Sequence, residues 1–247
     1  MGKVAMVLCV LAVAGLAAAD WNEGDYDKMH YPQLPKMIGG WDVKASYYRF
    51  LADDWQCSET GPVTDIHLWV SFMDDAYFNP TMIHTAIWTD DISGPFSKPK
   101  DRVWHKDWSS GWTTRLYGTG PQGWYDPQYS IQDPNQGQDP ALHPDHWNVY
   151  QINMLIDPME AYVQEVGNVY WLEFSIPTPI EGNIGWKQSG SPQYRDDAVW
   201  RITDGAWEPL EDPFTGLSMD LAFVITPEPG TIGLMLLGLA GWFCRRR

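Results

Sequence analysis

Val63-Thr64-Asp65-Ile66-His67-Leu68-Trp69-Val70-Ser71-Phe72 decides the fold class, because two sets of residues alternate along it. Thr64, Ile66, Leu68, Val70 and Phe72 make the better inward face, and Val63, Asp65, His67, Trp69 and Ser71 point the other way. A period of two is a strand's signature, since successive side chains leave opposite faces of a sheet. Met82 to Trp88, Trp147 to Ile156, Tyr170 to Ile176, Ala198 to Ile202 and Met219 to Ile225 behave likewise, separated by Gly, Pro, Asn and Asp. Roughly eight to ten short strands result. Only Pro158 to Val166 invites a helix, which Gly167 would end. The pattern is all-β, an antiparallel β-sandwich with the jelly roll as one candidate arrangement. Gly118 to Pro144 is dense in Gly, Pro, Asp and Gln and long for a connection, so it reads as a functional loop or one with a short hairpin.

The chain has 247 residues, 44% of them hydrophobic and 14% aromatic, which is incompatible with wholesale disorder and allows a sizeable core. A formal charge of −16 argues against nucleic acid as a partner, because that affinity comes largely from Lys and Arg neutralising phosphates.

The ends read as addresses. Lys3, an apolar run from Val4 to Leu16 and Ala17-Ala18-Ala19 form a signal peptide pattern over 1–19, which makes the Sec translocon and signal peptidase its first partners. The exported domain would then be 20–226. Thr226-Pro227-Glu228-Pro229-Gly230-Thr231 leads into an apolar run, Ile232 to Cys244, and then Arg245-Arg246-Arg247. Those thirteen apolar residues rise by about 1.5 Å each and give roughly 20 Å, short of the roughly 30 Å of a bilayer core, so the span suits transient residence in the inner membrane. The arginines would stay on the cytoplasmic side.

Pro227-Glu228-Pro229, the apolar run and the basic end, residues 227–247, resemble the PEP-CTERM sorting signal of Gram-negative bacteria. That resemblance implies processing by exosortase, a membrane cysteine protease-transpeptidase, in organisms that make extracellular polysaccharide. It implies export, membrane anchoring before processing, and a final place at the cell surface or outside it. A second resemblance lies in Leu51-Ala52-Asp53-Asp54-Trp55-Gln56-Cys57 and Thr60-Gly61-Pro62-Val63-Thr64-Asp65-Ile66-His67-Leu68-Trp69. These look like the opening of an uncharacterised domain of exported bacterial proteins, and the likeness runs over most of 38–225. It implies a shared β-rich fold and carries no catalytic residues.

Without its two end segments the chain loses four cations and one anion, leaving 12 Lys and Arg against 31 Asp and Glu. Cys57 is then the lone cysteine, a buried small hydrophobe with no disulfide partner. Fourteen of the fifteen tryptophans fall in 20–226. Trp104, Trp108, Trp112 and Trp124, near the Gly-rich stretch, are the candidates for stacking on sugar rings, against the plainer role of filling the core. Trp69, Trp171 and Trp200 alternate with apolar neighbours and could form an outer aromatic surface. Asp-Asp pairs at 53–54, 74–75, 90–91 and 196–197 suit turns and strand ends, or calcium, which takes six to eight oxygens. Asp133, Asn135 and Asp139 are the candidate calcium ligands by spacing. Gly118-Thr119-Gly120-Pro121-Gln122-Gly123 matches a dinucleotide-binding fingerprint in letters only, because no helix can follow Trp124-Tyr125-Asp126-Pro127. His67 and His84 sit on strands as structural histidines, and His143-Pro144-Asp145-His146 reads as a polar loop. No constellation demands catalysis. The expectation is a non-enzymatic surface or matrix protein, then a module binding extracellular polysaccharide, and last a glycosidase or lyase.

Overall fold

Alternation along each strand sends one set of side chains between two sheets, and the sheets assemble on that shared apolar layer. The computed structural model describes residues 20–129, 138–177, 183–190, 192 and 194–226. The first sheet runs β11 (Ile184–Lys187), β1 (Gly40–Lys44), β7 (Trp112–Tyr125), β8 (His146–Leu155), β4 (Asp65–Phe72), β14 (Phe223–Thr226). The second runs β13 (Glu208–Pro209), β12 (Val199–Ile202), β2 (Arg49–Gln56), β10 (Val169–Ser175), β5 (Ile83–Asp91), β6 (Lys98–Trp108). A short pair, β3 (Gly61–Pro62) and β9 (Val163–Gln164), stands apart. The fold is an all-β sandwich, and its strand pairings are antiparallel except β1 with β7. The first sheet also rolls onto itself, because β11 bonds both β1 and the upper part of β4, while β14 takes the rest of that β4 edge.

The inward sets are the expected ones. Ile66, Leu68, Val70 and Phe72 of β4 face Leu51 and Trp55 of β2, Ile87 of β5, and Leu172 and Phe174 of β10 in one cluster. Aromatic rings stitch the sheets together. Phe174 meets Trp186 at 5.6 Å, Trp186 meets Phe223 at 5.9 Å, Phe223 meets Trp55 at 5.9 Å, and Trp55 meets Tyr170 at 5.6 Å. The circuit starts and ends on β10 and crosses the sandwich twice. Both buried indoles are satisfied: Trp186 Nε1 donates to the Ala222 carbonyl at 2.8 Å and Trp55 Nε1 to Gln164 Oε1 at 3.0 Å. Cys57 is buried and free, as its reading as a small hydrophobe requires.

Three expectations change. Pro158 to Val166 is not helical: Asp157 closes a turn by accepting the Glu160 amide through its carbonyl and the Met159 amide through its carboxylate. Val163–Gln164 is then captured by Gly61–Pro62, so tertiary pairing outweighs a weak local preference. Gly118 to Pro144 is not all loop, since its first eight residues continue β7. Here glycine serves close packing; a Cβ on Gly120 would lie 2.0 Å from the Met37 carbonyl oxygen. Among the described residues fourteen strands, three of them two residues long, replace the eight to ten foreseen. The missed β6 reads as charged (Lys98, Lys100, Asp101, Arg102, Lys106, Asp107) because it is the sheet's last strand, where charges guard an open edge.

Replacing Trp186 with Ala removes two ring contacts and the indole hydrogen bond to the Ala222 carbonyl, which keeps only the longer one from the Trp69 amide. Denaturant unfolding should show a loss of about 3–5 kcal/mol with an unchanged slope, against under half of that for Trp186→Phe.

Candidate functional site

The side chains that leave the core on the second sheet build a site of their own. On β10, Trp171, Glu173 and Ser175 point outward while Tyr170, Leu172 and Phe174 enter the core; cross-strand register puts Glu173 beside Ala52 and Ala86, and Ser175 beside His84. Trp171 does not meet solvent. With Ala52 and Val199 it forms a small second apolar cluster, flanked by Trp88, Phe96 and Trp207.

Beside that cluster four charged groups form a chain across the strands. His84 Nδ1 lies 2.6 Å from Asp107 Oδ1 and its Nε2 3.0 Å from Glu173 Oε1, while Arg201 Nη2 donates to Glu173 Oε2 at 3.1 Å. Glu173 is 1% exposed, so its charge needs both partners. Burial would lower the His84 pKa, but hydrogen bonds to Glu173 and Asp107 overcome it and hold the imidazole above its ordinary value. Arg201 is clamped by rings, 5.2 Å over Phe50 and 4.4 Å over Trp207. Above the chain opens a cleft of about 360 Å³, lined by Phe50, Met82, Arg102, Asp107, Arg201 and Thr203 among others. Phe50 offers it a partly exposed ring, and arginine and carboxylate groups surround that ring with fixed donors and acceptors. Such a mixture suits a polyhydroxylated ligand.

The sugar-stacking candidates divide. Trp108, 2% exposed, donates from Nε1 to Thr85 Oγ1 at 2.8 Å, and Trp124, 6% exposed, stands edge-on to His146 at 6.3 Å, so neither presents a ring face to solvent. Both sit on strands that fold over the core, which removes them as stacking platforms. Trp104 and Trp112 are half-buried against the core, with Trp104 Nε1 bound to the Glu160 carbonyl. The four do not gather: Trp104 and Trp108 belong to the second sheet, Trp112 and Trp124 to the first. Nor do Trp69, Trp171 and Trp200 make an outer surface. Trp69 is covered by Trp21 and Tyr117, Trp171 is fully buried, and Trp200 packs against the core.

The Asp-Asp pairs take unlike roles. Asp74 and Asp75 sit in left-handed backbone (φ 58° and 56°), where the Asp75 carboxylate receives the Trp147 and Asn148 amides. Asp91 caps the Ser93 turn, Asp90 accepts the Trp171 indole, and Asp196 holds Ser97. Asp53 and Asp54 are the exception, lying inside a strand and 1% exposed each. Asp53 receives the Leu221 amide at 2.6 Å, next to buried Asp220. Burial first, then mutual repulsion with Asp220 and Asp54, raises Asp53 well above the ordinary carboxyl range, and burial lifts Asp220 to about 7. Among the described residues no group of three or more His, Cys, Asp or Glu is arranged to hold a metal. Of the calcium candidates, Asp139 caps its own turn by accepting the Ala141 amide, and Asp133 and Asn135 lie outside the described residues, as does the 227–247 tail.

A third buried group centres on Asp42 of β1 and draws in side chains from β11 and β8. His146, which opens β8 rather than lying in a loop, bridges Asp42 (Nε2 to Oδ2, 2.8 Å) and Asp145, and Lys187 Nζ reaches the same Asp42 Oδ2 at 3.1 Å. Asp42, His146 and Lys187 are 0% exposed. His67 is likewise structural, held by Asn153 and Thr226.

The raised carboxyls set a pH dependence. Each binds a proton more tightly folded than unfolded, so its contribution is complete below the unfolded value near 4 and is lost as pH rises through the folded one, about 7 for Asp220. Asp220→Asn should flatten the fall in thermal stability between pH 4 and pH 8, recovering roughly 2–4 kcal/mol at the alkaline end.

Among curated proteins none matches the chain. The profile of a domain-of-unknown-function family, DUF7901, matches residues 29–226, and the PEP-CTERM protein-sorting motif matches residues 226–247. That motif marks the chain as exported, anchored at the membrane for processing and recognised by exosortase. The chain is therefore a member of the DUF7901 family carrying a PEP-CTERM sorting signal.

Proposed function

We propose that this exosortase substrate is a non-enzymatic cell-surface or matrix protein whose sandwich binds extracellular polysaccharide in the cleft above Phe50. In this reading residues 1–19 take the chain through the Sec translocon and are removed by signal peptidase. The 227–247 segment then rests in the inner membrane until exosortase cuts it. The observation that supports binding is the cleft itself: an aromatic ring bordered by Arg102, Arg201, Asp107 and Thr203. Sugars are held by an apolar ring face and by paired hydrogen bonds from planar charged groups to neighbouring hydroxyls. Binding rather than turnover is favoured because the buried carboxylate is not free. Glu173 has one oxygen on His84 and the other on Arg201, whereas a glycosidase needs a carboxyl able to give or take a proton at the scissile bond.

Titration of the processed protein against a panel of neutral and acidic oligosaccharides tests this. Wild type should bind at least one class, and Arg102→Ala, at an exposed position of the rim, should weaken that binding about tenfold, or 1.4 kcal/mol, without changing the melting temperature. Equal binding by wild type and Arg102→Ala, or no binding to any glycan, removes the cleft from consideration.

A further inference from the structure

Lysine is almost never fully buried unless paired, and Lys187 is fully buried. It stands directly across from Asp42 in the antiparallel pairing of β11 with β1, both side chains on the face away from the core. Gly40 makes the room, because a Cβ there would lie 2.7 Å from Lys187 Nζ. The ammonium has three hydrogens but two acceptors among the described residues, the Trp41 carbonyl and Asp42 Oδ2, both at 3.1 Å. The carboxylate has a matching defect: Oδ2 receives both Lys187 and His146, and buried Oδ1 has no partner among the described residues. As an ion pair the site therefore carries one donor too many and one acceptor left over, in a place from which water is excluded.

We infer that Lys187 and Asp42 condense in the folded chain to an intramolecular isopeptide bond that ties β11 to β1. The amine nitrogen attacks Asp42 Cγ, a C–N bond forms, and one carboxylate oxygen leaves as water. The three ammonium hydrogens account for the product: one stays on the amide nitrogen and two leave in the water, with no oxidant or external proton. His146 is the proton carrier. Burial disfavours its charge, but hydrogen bonds to Asp145 and Asp42 raise it to about 9, so it holds a proton against Asp42 Oδ2, where the departing oxygen needs one. It can then be recharged from the attacking nitrogen. Burial also lowers the Lys187 ammonium, although Asp42 opposes this, which brings the nucleophilic free amine within reach. Fixed contact supplies the effective concentration that free amines and carboxylates lack in water. The product removes the excess: of the three N–H donors one remains, for the Trp41 carbonyl, and the doubly contacted Oδ2 leaves as water. A chain with one buried cysteine and no disulfide among its described residues thereby gains a covalent staple closing the loop from 42 to 187.

Mass spectrometry of the full chain, purified folded from an exporting host and then denatured and digested, decides the matter. The expected product is a branched peptide joining the segments that hold Asp42 and Lys187, one water lighter than their sum, with the Lys187 ε-amine inert to an amine-labelling reagent. Lys187→Met should abolish the branched peptide. Two linear peptides with a labelled Lys187 from wild type would overturn the inference whatever the variant does, and so would a branched peptide that survives Lys187→Met.

Discussion

The circuit of rings from Phe174 through Trp186, Phe223 and Trp55 to Tyr170 is the contact on which everything else is hung. It brings β11 and β14 of one sheet onto β2 and β10 of the other, and each ring is held edge-on or tilted, the arrangement aromatic quadrupoles favour. Once these strands are fixed back to back, their other sides are fixed too. Glu173 sits one residue before Phe174, Lys187 one residue after Trp186, and Asp54 one residue before Trp55, so the core packing dictates where the outward charges stand.

That coupling explains why charged groups stand on both outer faces and yet are buried. The outer side of the first sheet is roofed by the N-terminal residues near Trp21 and by the segment around Pro140 and Ala141. The outer side of the second is roofed by Phe96, Trp207 and the ring-clamped Arg201. Each roof removes water, and a carboxylate without water must find a proton or a cation. Three answers coexist in one domain: His84 and Arg201 neutralise Glu173, Lys187 and His146 neutralise Asp42, and Asp53 with Asp220 retains protons.

This is also where the sequence is readable and where it is not. Period-two alternation identifies β4, β5, β8, β10, β12 and β14 and their inward faces, because alternation records which side meets the core. It cannot record whether the other side is later covered. Trp69 and Trp171 alternate correctly and are buried all the same, and Asp53-Asp54 looks like a turn while lying mid-strand between buried neighbours. Among the strands it missed, β6 and β7 carry charges or glycines whose cause is remote in sequence, an open sheet edge in one and the approach of Met37 in the other. The cleft pairs His84, Asp107, Glu173 and Arg201 over separations of 23 to 89 residues, so only cross-strand register assembles it. The tail was legible in full because its three parts follow one another along the chain.

An exported acidic domain faces a problem that the three neutralisation schemes answer unequally. Proton retention by Asp53 and Asp220 fails as the medium turns alkaline, whereas the Asp42 group, held below the usual carboxyl range by Lys187 and His146 against the effect of burial, keeps its pairing across neutral pH. The Asp42 group is also the one that bridges β11 to β1 and, through His146, β1 to β8. Those strands complete the rolled first sheet, whose closure depends on β11 reaching both β1 and β4. The pH-insensitive tie, an ion pair before condensation and an amide after it, therefore lies where the sheet must close, and the pH-sensitive charges lie between β2 and the approach to β14, where the aromatic circuit already holds the sheets together.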